Sequence, residues 1–164
     1  MVAVNKVTPA KKSVKKVVAV DAIAILKADH KKVSGLFAEF EMARSATTKK
    51  RLVAMICTEL SVHAQIEEEI FYPAVKAALK DKVLIPEAVV EQATMKALIA
   101  QIQDIQPDGE MYDARVKVLA EYVKHHVKEE HTEMFPKAKN TRLDMRALGE
   151  QMATRKSDLL AKLL

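Results

Sequence analysis

Two segments of this chain repeat one pattern of imidazole, carboxylate, aromatic and proline. The first copy, HAQIEEEIFYP, starts at His63, and the second, HVKEEHTEMFP, starts at His126. Each copy sets its His four residues before a Glu, which is Glu67 in the first and Glu130 in the second. On a helix, four residues separate two side chains by only about 40°, so the imidazole and the carboxylate share one face. Each copy is half of a metal site, and two copies predict a whole one.

The elements that must position these residues are helices. The chain has 164 residues, which suits one domain, and only 3 Gly and no Trp. This composition favours an all-α protein. We expect five helices, at about residues 20–43, 48–79, 86–105, 110–138 and 143–163.

The first four predicted helices carry apolar stripes with alternating gaps of three and four residues. Short connections between them predict an up-down-up-down four-helix bundle, followed by an extra C-terminal helix. The first and third helices also align with each other, so the chain consists of two similar helix pairs about 62 residues apart. In this repeat His30 corresponds to Gln92.

Six polar side chains occupy positions in these stripes that should be apolar. A buried carboxylate without a partner costs several kcal/mol, and a cation is the simplest compensation. Imidazole and carboxylate together suit iron, manganese or zinc, and two carboxylates near one axis could bridge two metals. An open coordination position would admit water, hydroxide or dioxygen. The six residues are His30, His63, Glu67, Gln92, His126 and Glu130.

Other interpretations of these residues remain open at this point. A single His such as His30 can be a hydrogen-bonded core residue, and the His–Glu pairs could be surface ion pairs if the stripes are rotated. His131 lies about 100° from the stripe and is ambiguous. His125 faces away from the stripe, and we expect it to be solvated.

In these residues and their spacing, the chain resembles the hemerythrin-like proteins of the HHE cation-binding family. The segment from His63 to Pro73 is the most specific part of the resemblance, which covers about residues 21–162. The weaker parts are Ala28-Asp29-His30, Glu91-Gln92, and the run from Tyr122 through His126 and Glu130 to Phe135-Pro136.

The resemblance implies a non-haem di-iron centre inside the bundle. Carried over by position, His30 and His63 would bind one iron, His126 would bind the other, and Glu67 and Glu130 would bridge. Related proteins bind or sense dioxygen, handle nitric oxide or peroxide, or report on iron and oxygen status.

Gln92 departs from the family, which usually has a His at this position. Gln92, or a water that it holds, could complete a weakened second site. Alternatively, His131 or Glu91 could substitute for the missing imidazole. A third outcome is that the chain holds a single metal, or mismatched metals, and binds oxygen poorly. Another divalent metal in place of iron is a further alternative.

The charge and the cysteine content limit which partners and which cellular location we expect. The net charge is +5, but residues 1–18 hold five Lys and no acid, and the other residues balance. We therefore expect a basic tail at residues 1–18, with only weak contacts to nucleic acid, and a folded domain at residues 19–164. The single Cys57 and the lack of a long apolar run predict a cytoplasmic protein without a membrane span.

Three functions are compatible with these features. The first is a protein that binds or senses a small diatomic or peroxidic ligand at a carboxylate-bridged di-iron centre. The second is a redox enzyme at the same centre that removes peroxide or nitric oxide. The third is an interaction domain whose centre is degraded. The sequence leaves enzymatic activity and oligomeric state undecided and favours binding or sensing.

Overall fold

A computed structural model describes residues 20–163, and all regular elements in this range are helical. The all-α prediction is therefore confirmed, whereas the basic tail predicted for residues 1–18 lies outside the described residues. The α-helices are α1 (Ala22–Met42), α2 (Ala46–Ile66), α3 (Tyr72–Leu79), α4 (Leu84–Ile102), α5 (Glu110–Glu129), α6 (Phe135–Lys139) and α7 (Met145–Ala161). Two π-helical segments, Glu67–Phe71 and Glu130–Met134, join α2 to α3 and α5 to α6.

Short polar side chains fix where several helices begin. Asp21, Ser45 and Asp144 precede α1, α2 and α7, and each accepts a hydrogen bond from a backbone N–H of the first turn. This satisfies a donor that has no partner inside the helix. The helix predicted at residues 86–105 instead begins at Leu84, where Asp81 accepts from three backbone N–H groups.

Each π segment ends two residues before the proline of its copy of the repeated motif. The N–H of Tyr72 bonds to the carbonyl of Glu67, and the N–H of Phe135 bonds to that of Glu130. Such i→i+5 bonds are rare and mostly form single turns within α-helices. Pro73 lies in the first turn after the π segment, where its missing N–H is tolerated. The chain therefore passes each proline through a widened turn, and the helix continues.

The long helices pack around a polar layer that lies between two apolar clusters. Helices α1 and α2 pack together, as do α4 and α5, and α7 covers α1 and α2. One cluster contains Phe37, Leu52, Ile99 and Leu119, and the other contains Leu26, Phe71, Ile85 and Met152. Within residues 20–163, no helix has the length and hydropathy needed to cross a bilayer.

Seven buried polar residues form this layer. On each long helix they fall in sequence between the residues of the two apolar clusters. All six stripe residues predicted from the sequence belong to the layer. Its members are Asp29, His30, His63, Glu67, Gln92, His126 and Glu130.

Candidate metal centre

The first donor set combines two imidazoles from α1 and α2 with one oxygen from each buried glutamate. Nε2 of His30 lies 3.1 Å from Nε2 of His63 and 3.1 Å from Oε2 of Glu130. Nε2 of His63 lies 3.1 Å from Oε1 of Glu67. These four atoms lie within 4.8 Å of one another, so a single cation can contact them all.

The second donor set lies against the other oxygens of the same two glutamates. The hydroxyl oxygen of Tyr72 is 2.8 Å from Oε1 of Glu130, 3.1 Å from Oε2 of Glu67 and 3.1 Å from Nε2 of His126. Nε2 of Gln92 donates to Oε2 of Glu67 at 2.5 Å and to the Tyr72 hydroxyl at 3.0 Å. This set therefore has one imidazole, one phenol and one amide.

Three oxygens in the two donor sets form no hydrogen bond within residues 20–163, although two of them lie 3.1 Å from an imidazole nitrogen. They are Oε1 of Glu67, Oε2 of Glu130 and Oε1 of Gln92. Both glutamates are fully or almost fully buried, at 0% and 1% exposure. A buried polar atom without a partner costs about 1–3 kcal/mol, so each of these oxygens calls for a positive charge or a donor.

The spacing of the first donor set fits a metal ion. Metal–ligand bonds of about 2.1 Å at right angles would hold neighbouring ligand atoms about 3.0 Å apart. The three closest contacts in this set are each 3.1 Å. Nε2 of His30 faces Nε2 of His63, and a contact between two ring nitrogens can hold only one hydrogen-bonding proton. The residues present therefore fit a cation-binding centre.

The charges of the layer strongly perturb its titrating groups. Burial opposes protonation of His63, but the carboxylates of Glu67 and Asp29 outweigh it and raise the pKa of His63 to about 10. Burial likewise opposes protonation of His126, whose pKa the hydrogen-bonded Glu130 raises to about 9. Burial lowers the pKa of His30.

The pKa values of the two buried glutamates shift in opposite directions. Burial and the neighbouring charge of Glu130 raise the pKa of Glu67 above its usual range. Burial would also raise the pKa of Glu130, but contacts with His126 and His30 hold it well below its usual range. Without a cation, protons on the imidazoles balance the buried carboxylates.

A second layer of carboxylates orients the imidazoles. Nδ1 of His63 donates to Oδ2 of Asp29 at 3.2 Å, and Nδ1 of His126 donates to Oε2 of Glu91 at 2.5 Å. These bonds turn Nε2 of each ring towards its donor set, as is common for histidine ligands. The other oxygen of Asp29 receives a hydrogen bond from Lys156 of α7.

His131 lies beside the first donor set. Its Nε2 is 2.8 Å from Nδ1 of His30, so it contacts the far side of that ring. Phe135 stacks nearly parallel to His30, with ring centroids 6.0 Å apart. In this position His131 contacts His30 beside the first donor set, and its role as a substitute ligand stays a prediction. Burial lowers the pKa of His131, which favours the neutral ring.

The structure brings together the residues that the sequence predicted, namely His30, His63, Glu67, His126 and Glu130, with Gln92 beside them. Their role as ligands stays a prediction.

Sequence reasoning missed Tyr72 and Lys156. Tyr72 is off the helical stripe of Glu67 and approaches it only because the π segment adds a residue to the turn. The aromatic–Pro ending of the motif was the available signal for this residue.

The hemerythrin HHE cation binding domain matches residues 21–138. The crystal structure of a hemerythrin HHE cation binding domain-containing protein from Mycobacterium kansasii is similar, with a TM-score of 0.75 and 26% identity. That similarity covers 87% of this chain and 89% of the other. The chain belongs to the hemerythrin HHE cation-binding family, which confirms the resemblance found in the sequence and makes this a metal-binding protein.

A curated protein named DNA nickase, from Nostoc sp. (strain PCC 7120), is also similar. It is 32% identical over 116 residues, which make up 71% of this chain and 33% of that protein. The chain therefore spans about a third of the length of this relative.

Proposed function

We propose that this protein holds a non-haem, carboxylate-bridged di-iron centre that binds or senses dioxygen or a related small ligand such as nitric oxide or peroxide. One observation carries the proposal. Glu67 and Glu130 each turn one oxygen to the first donor set and the other to the second. This is the arrangement that two bridging carboxylates require, whereas a mononuclear site would leave the second oxygen of each glutamate only the hydrogen bonds from Tyr72 and Gln92.

The ligands divide between the two metals according to the donor sets. His30 and His63 hold the first metal. His126 holds the second, and Glu67 and Glu130 bridge. Iron is the favoured metal because carboxylates and imidazoles in a partly open sphere suit it, and manganese or another divalent metal is the alternative.

Tyr72 compensates for Gln92 in the second donor set. In the sequence repeat Tyr72 corresponds to Phe135, and Gln92 corresponds to His30. The first donor set thus has an imidazole and a phenyl ring where the second has an amide and a phenol. An amide oxygen such as that of Gln92 is a weak metal ligand, and the hydroxyl of Tyr72 would supply a further oxygen. The second metal would thus have an imidazole, a phenol and an amide beside the two carboxylates.

The scaffold for this centre is the up-down-up-down bundle of α1, α2, α4 and α5, extended by α3, α6 and the extra helix α7. The alternating direction of the helices is supported by the two apolar clusters. Each cluster combines one end of a helix with the opposite end of the next helix, as antiparallel neighbours do. We place the folded domain at residues 19–164, after the basic tail.

The first test is iron content together with near-ultraviolet absorption of the oxidised centre. Protein reconstituted with iron should carry close to two irons per chain, and His63→Ala should lose at least one with most of the absorption. Lys124→Ala is the control because Lys124 is exposed on the same helix as His126 and lies outside both donor sets. An unchanged spectrum in His63→Ala would overturn the assignment.

Turnover separates binding from catalysis at the same centre. A redox enzyme would evolve oxygen from hydrogen peroxide, or consume nitric oxide, faster than free iron does. A binding or sensing protein would show a ligand-dependent spectrum without such turnover. An interaction domain with a degraded centre would bind less than half an iron per chain and melt at the same temperature with and without iron.

A second candidate function is contact with nucleic acid, because one relative is named DNA nickase. A group of exposed cations, here called the basic end, supports it. The C-terminal ends of α3 and α6 pack together at a surface cavity of about 690 Å³. None of these cations forms an ion pair with a carboxylate within residues 20–163. They are Lys76, Lys80, Lys82, Lys137, Lys139 and Arg142.

Salt-dependent binding of duplex DNA tests this second candidate. Replacing Lys137, Lys139 and Arg142 with Gln should weaken binding and flatten its salt dependence, since each phosphate contact releases counterions. Lys96→Gln is the control, because Lys96 is paired with Glu68 away from this surface. Binding that is the same in both variants would exclude the basic end. Nicking of supercoiled plasmid by the wild type and not by His63→Ala would link the two functions.

A further inference from the structure

One more group of metal-ligating side chains lies at the surface, outside both donor sets. Nε2 of His125 is 3.3 Å from Oε1 of Glu91 and 3.2 Å from Oε1 of Glu129. The ligand atoms of the three residues lie within 4.8 Å of one another. We call this group the surface trio. An imidazole and two carboxylates from two helices are a set that divalent metals accept.

Glu91 connects the surface trio to the buried centre. Its Oε2 accepts a hydrogen bond from Nδ1 of His126, and its Oε1 faces His125. One carboxylate therefore touches both a proposed ligand of the second donor set and the surface trio.

The first helix pair contains a carboxylate in the equivalent position, and that carboxylate is paired with a cation. Asp29 contacts His63 in the way that Glu91 contacts His126. The outer oxygen of Asp29 receives the ammonium of Lys156. Within residues 20–163, no lysine or arginine forms an ion pair with Glu91. The cation that α7 supplies to the first half is thus replaced, in the second, by an imidazole and a further carboxylate.

The helix α7 explains the difference between the two halves. It packs on α1 and α2, where Val62 and Ile66 are buried. One repeat later in the sequence the corresponding residues are His125 and Glu129, which remain partly or largely exposed. A cation from solvent therefore has access to the surface trio, whereas α7 and Lys156 cover the equivalent place on the other side.

We propose that Glu91, His125 and Glu129 bind one divalent cation at the surface and pass metal to the second donor set beside it. The binding half of this proposal stands without the di-iron centre, and the transfer half rests on the proposed function. The site is more exposed and has only three side-chain ligands, so it binds more weakly than the buried centre and exchanges its ion readily.

Equilibrium dialysis of the full chain against Zn²⁺ tests the binding. The wild type should hold one more zinc per chain than the double variant His125→Gln, Glu129→Gln. Glu133→Gln is the matched control, since Glu133 is exposed on the next turn and lies outside the surface trio. Equal zinc content in the wild type and the double variant would overturn the site, and so would an equal loss in the control. Because the replaced side chains lie at the surface, circular dichroism should show unchanged folding.

The rate of iron uptake tests the transfer. With limiting Fe²⁺ in air, the near-ultraviolet absorption of the double variant should rise at least threefold more slowly than that of the wild type, to the same final value. Equal rates would overturn the transfer. If the buried centre takes up no metal while the difference of one zinc persists, the proposed function fails and the surface site stands.

Discussion

The hydroxyl oxygen of Tyr72 lies 3.1 Å from Nε2 of His126, in the donor set that has only one imidazole. Both groups also contact Glu130. A phenol in this place is available as an oxygen ligand where Gln92 stands instead of a second imidazole. The consequence for the proposed second metal can be measured.

Removing this hydroxyl should selectively weaken the binding of the proposed second metal. Tyr72→Phe should reduce bound iron from about two per chain towards one and abolish any visible phenolate-to-ferric band. Tyr112→Phe is the matched control, because Tyr112 is equally buried and its hydroxyl has no partner within the described residues. Full iron content in Tyr72→Phe would show that the phenol is only a hydrogen-bond donor.

Placing an imidazole at position 92 should strengthen the binding of the proposed second metal. In Gln92→His we expect tighter binding of the second iron by roughly tenfold, about 1.4 kcal/mol, or a more stable oxygenated form. Gln101→His adds an imidazole at an exposed position of the same helix and should change neither. Unchanged iron affinity in Gln92→His would contradict the view that Gln92 marks a weakened half of the centre.

Metal binding should release protons at neutral pH. In the metal-free protein the pKa of His63 is about 10 and that of His126 about 9, so both rings are protonated at pH 7. A metal binds only the neutral imidazole, and each displaced proton makes the apparent affinity rise about tenfold per pH unit. Calorimetry in two buffers of different ionisation enthalpy should count one to two protons at pH 7 and fewer above pH 10. No release at pH 7 would contradict these charge states.

The same pKa shifts set the stability of the metal-free protein. A histidine whose pKa is raised in the folded state stabilises that state fully below its unfolded pKa, about 6.5, and this contribution is lost as the pH rises through the folded value. The melting temperature of metal-free protein should therefore fall between pH 7 and 10. Metal-loaded protein should lack this decline, because its imidazoles are already deprotonated.

Gly149 allows α7 to dock closely on the start of α1. A Cβ at this position would lie 2.4 Å from the carbonyl oxygen of Val20 and 2.8 Å from the amide nitrogen of Ala22. Gly149→Ala should therefore destabilise the protein by about 1–3 kcal/mol, seen as a lower melting temperature. Gly35→Ala is the control, since its Cβ would meet nothing within 4 Å and should stabilise α1 by up to about 1 kcal/mol. Equal melting temperatures in the two variants would contradict this packing.

Helical periodicity could predict the polar layer because it depends on spacing alone. His63 and Glu67 lie one turn apart, and so do His126 and Glu130, in any regular helix. Tyr72 could not be found in this way, since a π turn changes the register and an α-helical stripe excludes it.

Contacts between distant segments were equally out of reach. His131 was ambiguous by angle, and only the packing of α1 against the second π segment places it on His30. Lys156 belongs to a helix whose docking side the sequence did not specify, so its bond to Asp29 was not predicted.

The polar layer separates the hydrophobic interior into two parts that share few side chains. An ion at the centre would join α1, α2 and α5 through one set of bonds and so connect both parts mechanically. Loss of the ion would leave two smaller cooperative units, and amide hydrogens next to the layer would exchange with solvent by openings that do not require global unfolding. Occupancy of the centre would thereby set the rigidity of the whole bundle and not only of the polar layer.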